Sequence, residues 1–365
     1  MKITTVIGAR PQFIKAAVVS RAFREHHPEV REMLIHTGQH YDQNMSEVFF
    51  DELDIPRPNY NLGIGGGTHG QNTGRMIEQI EKVLLAERPD WVLVYGDTDS
   101  TLAGTLAAVK LHIPVAHVEA GLRSFNRRMP EEINRMLTDH AATLLFTPTD
   151  TATHNLTNEG IGGSAVQQVG DVMFDAARYY STAAERTSRV LDQLGLSSRG
   201  YLLATIHRAE NTDDPARMAD ILDGLATSPK PVVWPIHPRT RRRLLEYGLG
   251  LPKVIRPIDP VGYLDMVMLE KHATAIATDS GGVQKEAFFH QVPCLTLRNE
   301  TEWIELVEAG VNRLVGSDAN HIAAGIAACT QEAAPQFLEC MYGNGNAAQK
   351  IVDRLAAGGL TNGIN

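Results

Sequence analysis

The chain has 365 residues, 43% of them hydrophobic, and a formal net charge of −9. That length suits two domains with substantial cores, and the acidic balance counts against a nucleic-acid surface. Cys294, Cys329 and Cys340 are odd in number and lack CxxC spacing, so neither a disulfide frame nor a zinc site is expected.

The first seven residues read as one short apolar strand, not as a signal peptide. No run reaches the ~18 apolar residues of a membrane span. A cytoplasmic enzyme or binding protein, without membrane insertion, is the expectation. Apolar runs at 3–7, 33–37, 91–95, 115–118 and 144–147 predict strands in the first half, and runs at 201–206, 232–235, 275–278 and 294–297 in the second. Runs that are apolar throughout and separated by helices belong to parallel strands buried on both faces. The pattern therefore predicts an α/β protein of two doubly wound domains. The join is placed near Gly170-Asp171-Val172-Met173, giving domains at 1–171 and 172–345. A loop at 343–346 then leads into a closing helix within 346–365.

Several strand ends carry reactive side chains, and open α/β sheets bind ligands at the carboxyl ends of their strands. The first strand ends in Gly8-Ala9-Arg10-Pro11-Gln12-Phe13-Ile14-Lys15. Gly8 permits a tight turn, Pro11 suits the first helical turn, and the Arg10 guanidinium suits a phosphate. Gly65, Gly67 and Gly70 satisfy GxGxxG but follow Pro56-Arg57-Pro58 instead of a strong strand, so they read as a glycine-rich loop. Tyr95-Gly96-Asp97-Thr98-Asp99-Ser100 follows a strand and precedes an Ala-rich helix. Asp99 or Ser100 fits an N-cap there, and Asp97 a functional carboxylate.

His117-Val118-Glu119 ends the next strand, which brings Asp97 and Glu119 to one rim. Carboxylates converging beside arginines can hold different protonation states, as acid–base catalysis requires. In Pro130-Glu131-Glu132-Ile133-Asn134-Arg135, proline and acids open a helix. Glu132 reads as ordinary helix-dipole chemistry, whereas Glu131 fits either that or function. Further on, the strand at 201–206 delivers His207-Arg208, a proton carrier and a phosphate partner, with His237 in second place. Thr278-Asp279-Ser280-Gly281-Gly282-Val283 reads as strand, turn and helix start. There the glycines admit a diphosphate, Ser280 can donate to it, and Glu286 lies within reach of ribose hydroxyls.

Together these motifs, with Thr37-Gly38-Gln39-His40 and Ala120-Gly121-Leu122-Arg123, resemble the non-hydrolysing UDP-N-acetylglucosamine 2-epimerases over nearly the whole chain. The resemblance implies the GT-B architecture: two Rossmann-like domains, a cleft between them, and a last helix returning to the first. It also implies a UDP-sugar substrate, a homodimer, and no nicotinamide or metal. Carried over by motif, Asp97, Glu119, Glu131 and His207 form the catalytic set, and Arg10, Lys15 and Arg135 line the cleft. Arg208, Ser280, Gly281, Gly282 and Glu286 hold UDP.

Some motifs depart from the common family form. Thr301-Glu302-Trp303-Ile304-Glu305 has tryptophan where an active-site arginine is usual, and Val261 and Gln12-Phe13 also differ. Trp303 and Val261 are therefore specificity candidates. These changes resemble the branch acting on UDP-2,3-diacetamido-2,3-dideoxyglucuronate in O-antigen synthesis. Two other classes share parts of the pattern: a GT-B glycosyltransferase with a UDP-sugar donor, and a sugar-nucleotide binding protein without turnover. Neither needs the carboxylate cluster.

Overall fold

The computed structural model describes residues 1–39, 55–331, 335–337 and 341–358, apart from the Arg10 side chain. His40, Cys340 and the Arg10 guanidinium lie outside the described residues. Among those described, no helix is long and apolar enough to cross a membrane. The chain divides into two compact units, one of Met1–Ala176 with Cys340–Asn365 and one of Ala177–Glu339.

Among the described residues, unit 1 is built on seven strands: β1 (Lys2–Ile7), β2 (Arg31–His36), β3 (Tyr60–Asn61), β4 (Trp91–Tyr95), β5 (Val115–Val118), β6 (Leu144–Thr147) and β7 (Val166–Gln168). They pair in the order β3-β2-β1-β4-β5-β6-β7, every neighbour parallel. β4 explains why its sequence is apolar throughout: all five of its residues are buried, because it lies between β1 and β5 with helices on both faces. The strand order turns back between β1 and β4, where Val6 pairs with Val94. Such a reversal opens a crevice at the carboxyl ends of the two strands.

That crevice in unit 1 is framed by two turns and the helices they start. Thr98 caps the helix Asp99–Lys110 by accepting from Thr101 N. Gln12, buried in the first turn of the helix Arg10–His26, ties the two strand ends together. Its Oε1 accepts from Gly8 N at 2.8 Å and Ala9 N at 3.0 Å, while its Nε2 donates to Tyr95 O at 2.8 Å. Phe13 is also buried, its ring stacked on His36 with centroids 5.2 Å apart. Both residues therefore brace the turn after β1.

The final helix, Ala347–Gly358, packs in unit 1. Asp175 caps it by accepting from Ala347 N at 3.2 Å and Ala348 N at 2.8 Å, and Lys350 Nζ reaches Val169 O at 3.1 Å.

Unit 2 repeats the plan, with six strands among the described residues: β8 (Leu202–Thr205), β9 (Val232–Pro235), β10 (Ile255–Ile258), β11 (Ala275–Thr278), β12 (Cys294–Thr296) and β13 (Asn312–Leu314). Their order is β10-β9-β8-β11-β12-β13, again parallel throughout, and it turns back between β8 and β11. Each unit is thus a doubly wound α/β domain with its own crevice, as the apolar runs predict.

The glycine-rich segment is a loop, as its sequence reads, but it does have a strand before it. Gly65 and Gly67 follow the short strand β3 and lead into the helix His69–Glu87, so a strand and helix do flank the loop. A Cβ on Gly65 would lie 2.8 Å from Gly38 O, a close backbone approach that accounts for the glycine without a ligand.

Candidate active site

Two clusters of functional side chains form, one at each strand-order reversal. In unit 1, Gly96 and Asp97 leave β4 and Glu119 leaves β5. Glu119 sits at φ +72, a left-handed conformation that L residues other than Asn and Asp seldom adopt. A non-glycine residue held there costs about 1–2 kcal/mol, which surrounding structure must offset. Lys15, from the second turn of the helix Arg10–His26, supplies part of that support. Its ammonium forms an ion pair with Glu119 Oε2, and both side chains are 8% exposed. Gly96 suits the turn: its φ is +63, and a Cβ would press on the ion pair at 3.2 Å from both Glu119 Oε2 and Lys15 Nζ.

Asp97 belongs to a second, adjoining group. Arg135 is buried and holds two carboxylates, with Nη2 2.6 Å from Asp97 Oδ2 and Nη1 2.7 Å from Glu132 Oε2. Asn134 donates to Asp97 O at 3.0 Å and to Asp99 Oδ1 at 3.2 Å. The sequence reading of Glu132 as a helix-dipole residue is corrected by these contacts. Glu132 is 1% exposed and accepts from Ser124 N at 2.9 Å and Phe125 N at 3.0 Å as well as from Arg135. It anchors the loop that precedes its own helix. Glu131, one residue earlier, is half-buried and makes no ion pair among the described residues.

In unit 2 the reversal brings β8 and β11 side by side, with Thr205 and Thr278 hydroxyls 2.5 Å apart. Asp279 is fully buried just past β11 and accepts backbone N–H bonds from His207 at 3.1 Å and Arg208 at 3.1 Å. Its Oδ1 also lies 3.2 Å from His207 Nδ1, in a ring that is 53% exposed. Ser280 caps the helix Gly281–Phe289. A Cβ on Gly281 would sit 2.3 Å from Glu302 Oε1, and Glu302 is in turn held by Arg298 Nη1 at 2.9 Å. The glycine therefore lets the turn lie against a fixed, buried carboxylate.

The remaining candidates fall around this turn. Trp303 is buried and donates from Nε1 to Gly281 O at 3.0 Å. The Lys285 ammonium lies 4.0 Å from the centre of its ring, a cation–π contact. Glu286 is buried, and its Oε1 accepts from Tyr263 OH at 3.3 Å. Burial, reinforced by the charge of Glu286, pushes the Tyr263 phenol well above its ordinary value and keeps it a donor. Val261 packs half-buried against the core of unit 2. His237 caps the helix Pro238–Glu246 by accepting from Arg239 N at 3.2 Å, which is a structural role. Among the described residues, no group of three or more His, Cys, Asp or Glu side chains could hold a metal ion.

Asp279 and Asp139 are the carboxylates that sequence reasoning passed over. Asp279 stood inside a motif read for its serine and glycines. Asp139 lies in the last turn of the helix Pro130–Ala141, with nothing local to mark it. Each is buried and organises two neighbouring turns.

Comparisons with known proteins give the family. The family model for UDP-N-acetylglucosamine 2-epimerase matches residues 22–356. A UDP-N-acetylglucosamine 2-epimerase homolog from Methanococcus maripaludis is 53% identical over 97% of this chain and 99% of its own. The UDP-2,3-diacetamido-2,3-dideoxy-D-glucuronate 2-epimerase of Pseudomonas aeruginosa is 52% identical over 98% and 99%. The crystal structure of Methanocaldococcus jannaschii UDP-GlcNAc 2-epimerase, in complex with UDP-GlcNAc and UDP, has a TM-score of 0.90 at 45% identity, covering 98% of this chain and 100% of that one. The chain belongs to the UDP-N-acetylglucosamine 2-epimerase family, and is an isomerase of the GT-B-like, two-domain α/β kind.

Proposed function

We propose that the protein interconverts UDP-N-acetylglucosamine and UDP-N-acetylmannosamine by removing and restoring the proton at C2. A base takes that proton as UDP leaves C1, giving enzyme-held 2-acetamidoglucal. The sugar reorients, a proton is delivered to the opposite face of C2, and UDP adds back at C1. The observation that carries this reading is the pair of carboxylates at one strand-order reversal, each held by a buried cation: Glu119 by Lys15 and Asp97 by Arg135. Proton transfer at carbon needs positioned acid and base groups, and sugar binding alone does not.

In this reading Asp97, Glu119, Glu131 and His207 handle protons, Arg10, Lys15 and Arg135 lie about the substrate, and the two arginines steady the charge of the departing diphosphate. Ser280, Gly281, Gly282, Arg208 and Glu286 take UDP, because a small-residue helix start presents free N–H groups to phosphate oxygens. A cytoplasmic homodimer supplying cell-surface polysaccharide synthesis completes the proposal.

The test is product NMR after turnover in D2O with no acceptor present. Deuterium at C2 of the epimer is expected. Full retention of the substrate's own C2 proton excludes elimination and re-addition, and transfer only in the presence of an acceptor would make the protein a glycosyltransferase.

A second substrate is favoured by one specific feature. Trp303 sets an indole ring against Gly281, where the common family form has an arginine. A relative acting on the 2,3-diacetamido uronic acid shares 52% identity. A site built around particular polar partners rejects an analogue that leaves them unpaired. Comparison of kcat/KM on the two UDP-sugars decides between them. At least tenfold preference for UDP-2,3-diacetamido-2,3-dideoxyglucuronate, about 1.4 kcal/mol of transition-state discrimination, assigns the uronate. Preference for UDP-N-acetylglucosamine leaves the parent reaction.

A further inference from the structure

His117 lies wholly buried in β5, two residues before Glu119. Its Nδ1 is 2.7 Å from Asp139 Oδ1 and its Nε2 is 2.7 Å from Gly96 O. A carbonyl oxygen has no proton to give, so Nε2 must donate. Asp139 is just as buried, and its Oδ2 accepts from Gly121 N at 3.1 Å and Arg123 Nη1 at 2.7 Å. Burial works to raise the Asp139 carboxyl, yet His117 and then Arg123 hold it below the ordinary carboxylate value. Two donors on Oδ2, one of them the Arg123 guanidinium, favour the ionised carboxylate, so Nδ1 donates as well. A ring that donates from both nitrogens carries a positive charge.

The donors on Asp139 Oδ2 stabilise the anion and so place the shared proton on the ring. Arg123 directs Nε and Nη2 to the two oxygens of Glu159, at 2.7 and 2.8 Å, and so is matched by that carboxylate. His140 meets Glu159 only at its exposed edge, at 3.1 Å. Arg123 also pairs with Asp139 at 2.7 Å, so one guanidinium serves two carboxylates and the second proton of His117 supplies the remaining positive charge.

We propose that His117 is held as a buried imidazolium and acts as a positioning residue for the reacting carboxylates. Through Gly96 O it fixes the turn that carries Asp97. Through Asp139, which also holds Gly121 N, it fixes the turn that follows Glu119. The charge makes both links short and directional, since hydrogen bonds from a cation are about twice as strong as neutral ones. The positioning role rests on the reading of Asp97 and Glu119 as the reacting groups. The charge state of the ring does not.

The two parts are tested separately. Long-range 1H–15N correlation on histidine-labelled full-length protein at pH 8, above the ordinary histidine value of about 6.5, reports each ring nitrogen. His117, assigned by its loss in His117→Gln, should show both nitrogens protonated in the wild type. In Asp139→Asn one of them should become bare. A bare nitrogen in the wild type, or an unchanged imidazolium in Asp139→Asn, overturns the proposal, and the wild-type spectrum is informative even if a variant fails to fold. For positioning, His117→Gln should lower turnover on the order of 100-fold and leave UDP affinity within about threefold. In an Asp97→Asn background the same change should add little, because groups acting as one unit are not additive. Fully multiplicative losses would place His117 outside that unit. Absence of any epimerisation by the wild type would refute the proposed function and leave the spectroscopic result standing.

Discussion

Glu119→Gln should lower turnover by on the order of 100-fold or more while UDP affinity moves by less than about threefold. The substitution keeps the size of the side chain and removes only its ability to take or give a proton. Glutamine tolerates the left-handed backbone at φ +72 about as well as glutamate, so the turn should persist. Its cost falls on Lys15, a buried ammonium left facing a neutral amide. A lowered Tm is therefore expected alongside the kinetic loss, and Lys15→Met in the same chain should recover much of it without restoring activity.

Glu131→Gln separates the two effects. It should reduce turnover comparably, yet leave Tm nearly unchanged, because Glu131 makes no ion pair among the described residues. Steady-state kinetics, UDP titration and thermal melts on the three variants suffice. UDP binding that falls in step with turnover would make these residues ligand holders instead of proton carriers.

Gly121→Ala should cause the largest loss of stability. Gly121 has φ +81, and a Cβ would lie 2.3 Å from Ala152 O and 2.8 Å from Ala152 C. Both are backbone atoms of the helix Asp150–Asn158 and cannot rotate away. Gly121 is also held at both ends, N–H to Asp139 Oδ2 at 3.1 Å and C=O from Asn155 Nδ2 at 3.0 Å. Backbone strain and overpacking each contribute about 1–3 kcal/mol, for a total of about 2–6 kcal/mol. At roughly 2–4 °C per kcal/mol for a unit of this size, Tm should fall by on the order of 10 °C.

Gly63→Ala is the control. Its φ is +60 with nothing within 4 Å of a Cβ, so only the backbone cost of about 1 kcal/mol applies. Calorimetry showing equal shifts for the two variants would mean that the helix yields easily and the clash carries no weight.

Sequence alone determined the interior of both sheets. Nine strands, β1, β2, β4, β5, β6, β8, β9, β11 and β12, stand where apolar runs predict them, because a strand buried on both faces has to be apolar throughout. The four strands that reading missed, β3, β7, β10 and β13, are the four sheet edges. Edge strands are short and half-solvated, and so they carry polar residues and even proline, as in Ile255-Arg256-Pro257-Ile258. Nothing periodic marks them.

The candidate site divides along the same line. Which residues stand at strand ends was legible, since glycine turns, helix starts and carboxyl-terminal strand positions are local signals. Which of them pair was not. Lys15 meets Glu119 across 104 residues of sequence, and Arg135 meets Asp97 across 38. His117 and Asp139 join only because β5 and the helix Pro130–Ala141 pack together. Tertiary structure decided these pairings, and with them the burial of Glu132 and the docking of Trp303 on Gly281. The physical reason is that a hydrophobic pattern specifies which face of an element is buried, whereas an ion pair or hydrogen bond depends on a neighbour supplied by the strand order.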